Sequence, residues 1–305
     1  MTRRGWWLFS AMAVIWGIPY LLIKVAVHDL APASIVFLRT AIGASLLLPV
    51  ALARGNLRLV LRRWKPLALF TAVELAIPWV LLTDAERRVS SSLAGLMMAS
   101  VPIVGVLLAR AGGSTERFGG RRVAGLAAGL AGVVVLLGLD FAGGDAWVLA
   151  EFAVVVAGYA LGPTVIARSL SDLPTLDVVA ASLALCAVVY APAGIALLPP
   201  AMPGLPVIGA VVGLGVICTA LAFILFFGLV AEVGPVRATV VTYVNPAVAV
   251  LAGVALLGES FTVWTAAGLA LILGGSWLAN GSRRSKPEEP AFVPDEEPVP
   301  RERAA

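Results

Sequence analysis

The chain has 305 residues, 60% of them hydrophobic and 13% charged, with a mean hydropathy of +0.97. Soluble domains carry about 45–50% apolar and about 25% charged residues, so a water-soluble fold is excluded. The net charge of +4 does not mark a nucleic-acid surface, because the Lys and Arg fall between apolar runs, where they set membrane orientation.

A helix needs about 20 apolar residues to cross a membrane. Runs such as residues 124–139 are continuously apolar, unlike the alternating segments of about 10 residues in a β-barrel. The hydropathy therefore predicts an all-α integral membrane protein with ten transmembrane helices. In chain order the first five fall near residues 6–27, 33–53, 66–82, 90–109 and 123–139. The second five fall near 147–167, 176–198, 206–230, 236–257 and 262–279. The first run continues to about Val27 without a small-residue cleavage site, so it reads as a retained span and not as a signal peptide. Residues 281–305 are rich in Pro and Glu and nearly lack apolar content, which predicts a disordered cytoplasmic tail.

Arg3, Arg4, Arg54, Arg58, Arg62, Arg63, Lys65, Arg110, Arg117, Arg121, Arg122, Arg168 and Arg237 all fall on one side of the expected spans. Only Arg87 and Arg88 lie in links on the other, so both termini are expected in the cytoplasm. Cys186 and Cys218 sit in apolar runs and read as small hydrophobes. His28 is the single histidine, so a Ser-His-Asp triad, a metal site and a cofactor are not expected. No GxxxxGK[ST] phosphate loop is present, which argues against ATP-driven transport by this chain alone.

The two halves repeat at an offset of 143 to 145 residues: Gly17 matches Gly162, Pro49 matches Pro192, Pro102 matches Pro246, Glu116 matches Glu259, and Gly132 matches Gly275. Five spans per repeat is an odd number, so the second copy, residues 141–280, enters the membrane from the side opposite to residues 1–140. Inverted repeats of this kind build alternating-access transporters around a site near the midplane.

These features resemble the drug/metabolite transporter superfamily in its EamA-type branch. One signature is Ile15-Trp16-Gly17-Ile18-Pro19-Tyr20 running to Lys24, then Ala31-Pro32 and Phe37-Leu38-Arg39. The second is Gly234-Pro235-Val236-Arg237-Ala238, then Tyr243-Val244-Asn245-Pro246, Gly258-Glu259-Ser260 and the glycine-rich run from Gly268 to Gly275. The resemblance implies ten helices, cytoplasmic termini and export or exchange of small metabolites. The first half departs from the pattern at Gly113-Ser114-Thr115-Glu116, where the link is longer, and at Glu74, where an apolar or small residue is expected. The small multidrug-resistance relatives keep their coupling glutamate in the first span, which has none here, so their proton chemistry does not carry over by position.

Glu74 falls about 12 Å into the third span, close to the midplane. An intramembrane carboxylate costs several kcal/mol unless paired or protonated, and by default marks a functional site. The expected resting partners are Arg39 and Lys24; a purely structural ion pair is the alternative. Trp16, Tyr20 and Lys24 recur at i, i+4 and i+8 on one face of the first helix. Tyr159 in the sixth span, and Tyr243 and Asn245 in the ninth, complete the candidate substrate-binding set, against the simpler reading of helix packing. Pro19, Pro78, Pro102, Pro163 and Pro246 are candidate helix breaks or gates, since a mid-span proline frees a carbonyl. Trp79 is expected to contact lipid or another helix, and Glu151 to be solvated at the membrane interface. Gly125-x-x-x-Gly129 and Gly209-x-x-x-Gly213 serve either internal packing or a dimer, so monomer and homodimer both stay open.

The expected function is a secondary transporter of a bacterial inner membrane. Its partners are a small organic substrate, with amino acids first, the surrounding lipid, and protons as candidate coupling ion; no nucleic acid is expected. A lipid-carrier flippase of the same superfamily is the alternative. A membrane-embedded enzyme would need a polar catalytic cluster, which Asp84, Glu86, Asp140 and Asp145 are too scattered to supply.

Overall fold

The computed structural model describes residues 1–111, 120–140, 146–234, 238, 241–242 and 244–280. Tyr243, Glu116 and the tail 281–305 lie outside the described residues, which contain helices and turns and no strand.

The first span is broken into α1 (Arg3–Gly17) and α2 (Pro19–Ala26), and α3 (Pro32–Arg54) forms the second. Thr2 caps α1, its hydroxyl accepting from Gly5 N at 3.0 Å, and Pro32 opens α3 where a missing N–H costs nothing. Gly55, at φ +75°, ends α3 in the left-handed region that glycine occupies without penalty. A short α4 (Leu57–Arg62) leads to α5 (Trp64–Phe70), a π-helical segment (Thr71–Ala76) and α6 (Ile77–Ala85), which together make the third span. The fourth consists of α7 (Ser91–Met98) and α8 (Val101–Ala111), followed by α9 (Gly120–Asp140).

The second half runs through α10 (Ala146–Ser169) and α11 (Thr175–Ala196) to α12 (Leu205–Gly215), a second π-helical segment (Val216–Leu221) and α13 (Ala222–Val233). It closes with α14 (Asn245–Leu257) and α15 (Val263–Asn280). Among the described residues seven helical stretches are long and apolar enough to cross a membrane, and three shorter apolar helices lie at 123–132, 245–257 and 263–275.

Helices pair across the repeat. α3 packs on α11, α9 on α15, and α7 on α14; α1 on α13 is mirrored by α10 on α6. The repeat extends to backbone irregularity, because the π segments beginning at Thr71 and Val216 are separated by the same 145 residues as Gly17 and Gly162. A π turn inside an α-helix strains the ladder, is rare, and is found most often at functional sites.

Gly275 brings α15 against α9: a Cβ there would lie 2.4 Å from Gly129 N and 2.5 Å from Gly125 O. The Gly125–Gly129 pair therefore serves internal packing. Gly209 has open space around it, and Gly213 abuts Leu22. Both cysteines are buried and free. Large side chains such as Val188, Leu251 and Trp277 stand exposed around the outside, where lipid replaces water as solvent.

Pro19, Pro102 and Pro246 each open a helix after an interruption or turn, and Pro78 stands near the start of α6, directly after the π segment. Pro163 differs: α10 runs through it without a break. A single missing N–H leaves one carbonyl without its helical donor, and the packing of α10 on α6 and α8 holds the remaining turns in place.

Candidate functional site

Glu74 sits ten residues past Trp64 and eleven before Ala85, the ends of its span, and lies inside the first π segment. Its Oε2 is buried without a hydrogen-bond partner. The space for this side chain comes from α10, where a Cβ on Gly162 would fall 1.8 Å from Glu74 Oε2. Gly158, one turn earlier, gives the same clearance to the backbone, since a Cβ there would lie 2.3 Å from Val73 O. Tyr190 OH donates to Ala76 O at 2.9 Å, tying α11 to the end of the π segment.

Arg39 stands on α3 and is only 5% exposed. Its guanidinium carbon lies over the Trp79 ring, 3.6 Å from the centroid, and Nε donates a long 3.4 Å bond to Thr219 Oγ1. Thr219 occupies the second π segment at the position equivalent to Glu74, offset by 145 residues, and donates to Leu214 O at 2.8 Å. Tyr159, half-buried on α10, has Glu74, Arg39, Trp79 and Glu86 as electrostatic neighbours. Tyr20, buried on α2, has Tyr159, Glu86 and Arg39. Glu74, Arg39, Tyr20 and Tyr159 thus form one interior group with Trp79 and Thr219.

The expected ion pair of Glu74 with Arg39 or Lys24 is not present among the described residues. Arg39 is occupied by the Trp79 face, and Lys24 lies near the end of α2, where its Nζ donates to Glu86 O at 2.7 Å and Val89 O at 2.8 Å. Trp16 turns to Phe226 on α13, with ring centroids 4.8 Å apart. Asn245 has its amide beside Val241 O and Ala13 O; turned so that the nitrogen faces them, it donates at 2.9 and 3.3 Å and ties the start of α14 to α1. Neither joins the Glu74 group; both pack elsewhere in the first span's surroundings.

Sequence reading missed Glu86, Trp79 and Thr219. Glu86 reads as a link residue but is fully buried, and neither of its carboxyl oxygens has a hydrogen-bond partner. Burial pushes its pKa well above the usual carboxylate range, with nearby Lys24 opposing the shift. Thr219 was detectable from the repeat offset to Glu74. Trp79 was not, because no pattern in its own span distinguishes a stacking platform from a lipid-facing ring.

The same end of the bundle carries two further ties. Glu259, just past α14, accepts from Ser91 N (2.7 Å), Ser91 Oγ (2.9 Å), Ser92 N (3.0 Å) and Ser92 Oγ, capping the start of α7. Gly253 leaves room for it, since a Cβ there would lie 2.3 Å from Glu259 Oε2. Burial acts to raise the Glu259 pKa, but the four donors outweigh it and hold the group below its ordinary value. Glu151, expected to be solvated, is instead 2% exposed and paired with Arg88, which also reaches Asp84 at 2.8 Å. A cavity of about 230 Å³ opens beside Arg88, Ser90 and Glu259. At the opposite end a wider groove of about 520 Å³ is lined by Arg62, Arg63, Trp64, Lys65, Pro66 and Ser169.

Apolar helices paired about an internal repeat, with a carboxyl group buried midway along one span and a cation buried on a neighbouring one, define an integral membrane protein with charge in its interior. The chain belongs to the EamA-like transporter family, which matches it twice, over residues 3–138 and 146–281. It is 28% identical over 291 residues to an Escherichia coli K12 protein described as "Uncharacterized inner membrane transporter YedA", covering 93% of each chain. It is 27% identical over 282 residues to an "Uncharacterized transporter" of Archaeoglobus fulgidus, covering 90% of this chain and 98% of that one. A solved crystal structure superposes with a TM-score of 0.66 at 26% identity, over 92% of this chain and 97% of its own. Family and relatives together indicate a membrane transporter and not an enzyme.

Proposed function

We propose that this chain is a secondary transporter of a bacterial inner membrane, exporting small organic metabolites by alternating access between two inverted five-helix repeats. Ten spans with both termini cytoplasmic fit the Lys and Arg distribution. On that orientation the Lys24–Glu259 end faces outward and the Arg63 end faces the cytoplasm. Amino acids and related compounds are the first substrate class.

The observation that carries this reading is Glu74. A carboxyl group midway along its span, with a buried oxygen that finds no donor among the described residues, marks by default a place for a ligand or a proton. In this role Glu74 takes either a proton or the ammonium of the substrate, with Tyr159 on α10 as its titratable neighbour, and Arg39 and Glu86 beyond it. The two π segments, one bearing Glu74 and the other Thr219 at the same repeat offset, support this reading.

The test is transport from proteoliposomes loaded with a mixed metabolite panel, read by mass spectrometry with and without a pH gradient. Loss of one compound class only under the gradient, abolished in a folded Glu74→Gln variant, supports the reading. Unchanged gradient-driven transport in that variant rejects the coupling role. Loss that needs external metabolite in place of protons makes the protein an exchanger. Loss of no compound moves the reading to a lipid carrier.

A further inference from the structure

We infer that Arg39, laid on Trp79 and steadied by Thr219, is a carboxylate-binding site, so that the cargo carries a carboxylate group. The inference rests on the transporter reading above and specifies its substrate. A guanidinium offers five N–H donors in a planar fork that matches a carboxylate bidentately. Among the described residues Arg39 spends one donor, at 3.4 Å, on a neutral hydroxyl, and no carboxylate stands within ion-pair distance. It lies seven residues inside the start of its span and is 5% exposed. A cation placed there without an anion is costly, and the indole face offsets only part of that cost.

The surroundings match a carboxylate ligand. The contact with Trp79 and the Nε bond to Thr219 hold the guanidinium from two sides and leave its two terminal nitrogens for two oxygens. Two of the arginines with described acidic partners behave differently: Arg63 takes both oxygens of Asp172 at 2.9 and 2.7 Å, and Arg88 takes Asp84 and Glu151. Arg39 keeps the geometry for such a pair and lacks the protein acid to make it. Tyr159 is acted on electrostatically by both Arg39 and Glu74, so a small zwitterion with its carboxylate on Arg39 is the ligand that would also engage the Glu74 reading.

The experiment is thermal stabilisation of the purified full-length protein by matched ligands: leucine and phenylalanine, their amides, isovalerate and phenylacetate, succinate, and isoamylamine and phenethylamine. Free carboxylates are expected to stabilise the protein about 10- to 100-fold more tightly than the amides, the range for losing hydrogen bonds to a charged partner. This comparison uses the wild-type chain and needs no variant to fold. In folded protein, Arg39→Gln should abolish the preference for acid over amide. Arg39→Lys should keep part of it, retaining charge without the fork. Thr219→Val should weaken it less than Arg39→Gln.

Binding of isovalerate or phenylacetate without binding of amino acids would uphold the Arg39 site while removing Glu74 as an ammonium partner. Amides or amines binding as tightly as the acids would overturn the carboxylate site and leave the Glu74 reading standing. Stabilisation by none of the carboxylates, or an acid preference unchanged in Arg39→Gln, would also overturn it.

Discussion

The two ends of the bundle are closed by different means. At the Glu259 end an exposed Arg87–Asp84 pair is accompanied by buried charges shared with backbone: Lys24 serves two carbonyls, Glu259 receives four donors from the start of α7, and Glu151 is buried against Arg88. At the Arg63 end the ties are exposed ion pairs, Arg63 to Asp172 and Arg4 to Glu232, with side chains from 19% to 76% accessible. Water screens the second kind and competes with it, so such pairs contribute between nothing and about 1 kcal/mol. The first kind leaves donors and carbonyls stranded when broken. On the alternating-access reading proposed above, the Glu259 end would be the one held shut and the Arg63 end the one that opens at low cost.

The largest effect should come from Glu259→Ala, which strands the Ser91 and Ser92 donors at the start of α7 and should cost about 2–3 kcal/mol. It is measured as a fall in the thermal midpoint and as new reactivity of cysteines placed beside Ser90 toward a membrane-impermeant thiol reagent. An undisturbed midpoint with unchanged labelling would break the contrast between the ends. Because Glu259 has a lowered folded-state pKa, its contribution is present above the unfolded carboxylate value and disappears as pH falls through the lowered one. Glu259→Gln should flatten that acid limb.

Lys24→Met should cost about 2 kcal/mol, since Glu86 O and Val89 O lose their donor and the buried Glu86 loses its nearest positive charge. Glu86→Gln should act in the other direction, stabilising by about 1 kcal/mol near neutral pH. The sign follows from its raised folded-state pKa: the wild-type group loses stability as pH rises above the unfolded carboxylate value. Midpoints of the two proteins should therefore converge in acid and separate toward neutrality. The smallest change is expected from Arg63→Ala, about 0.5 kcal/mol and diminished by salt. A loss as large as that of Glu259→Ala would make the two ends equivalent.

Much of this was legible in the chain itself. Continuous apolar runs located the helices, and the repeat offset carried from Gly17 and Gly162 to the paired packing of their helices. Pro19, Pro102 and Pro246 marked helix starts because a proline lacks the N–H that helix interiors require. Glu74 stood out because a carboxylate in an apolar run has no solvent to excuse it. The remainder depends on contacts between distant residues. The sequence around Glu86 reads as a solvated link, and its burial arises only when α2 folds over it with Lys24. Lys24 lies on the face expected for a partner of Glu74 but meets two carbonyls first. The π segments leave no periodic trace at all, since one inserted residue within an apolar run changes no hydropathy.

Those two segments have a geometric consequence. Each places six residues where regular α-helical winding would complete its turns with fewer. The far half of each span is thereby rotated relative to the near half, by up to about 100° for one extra residue. In the third span this sets Trp79 under Arg39 independently of where α5 meets the groove at Arg63. Deleting one residue between Thr71 and Ala76 would restore even winding, keep the span apolar and long enough to cross, and swing the indole out from beneath the guanidinium. Each segment works as a swivel joint, letting the two ends of one helix keep separate alignments with their neighbours.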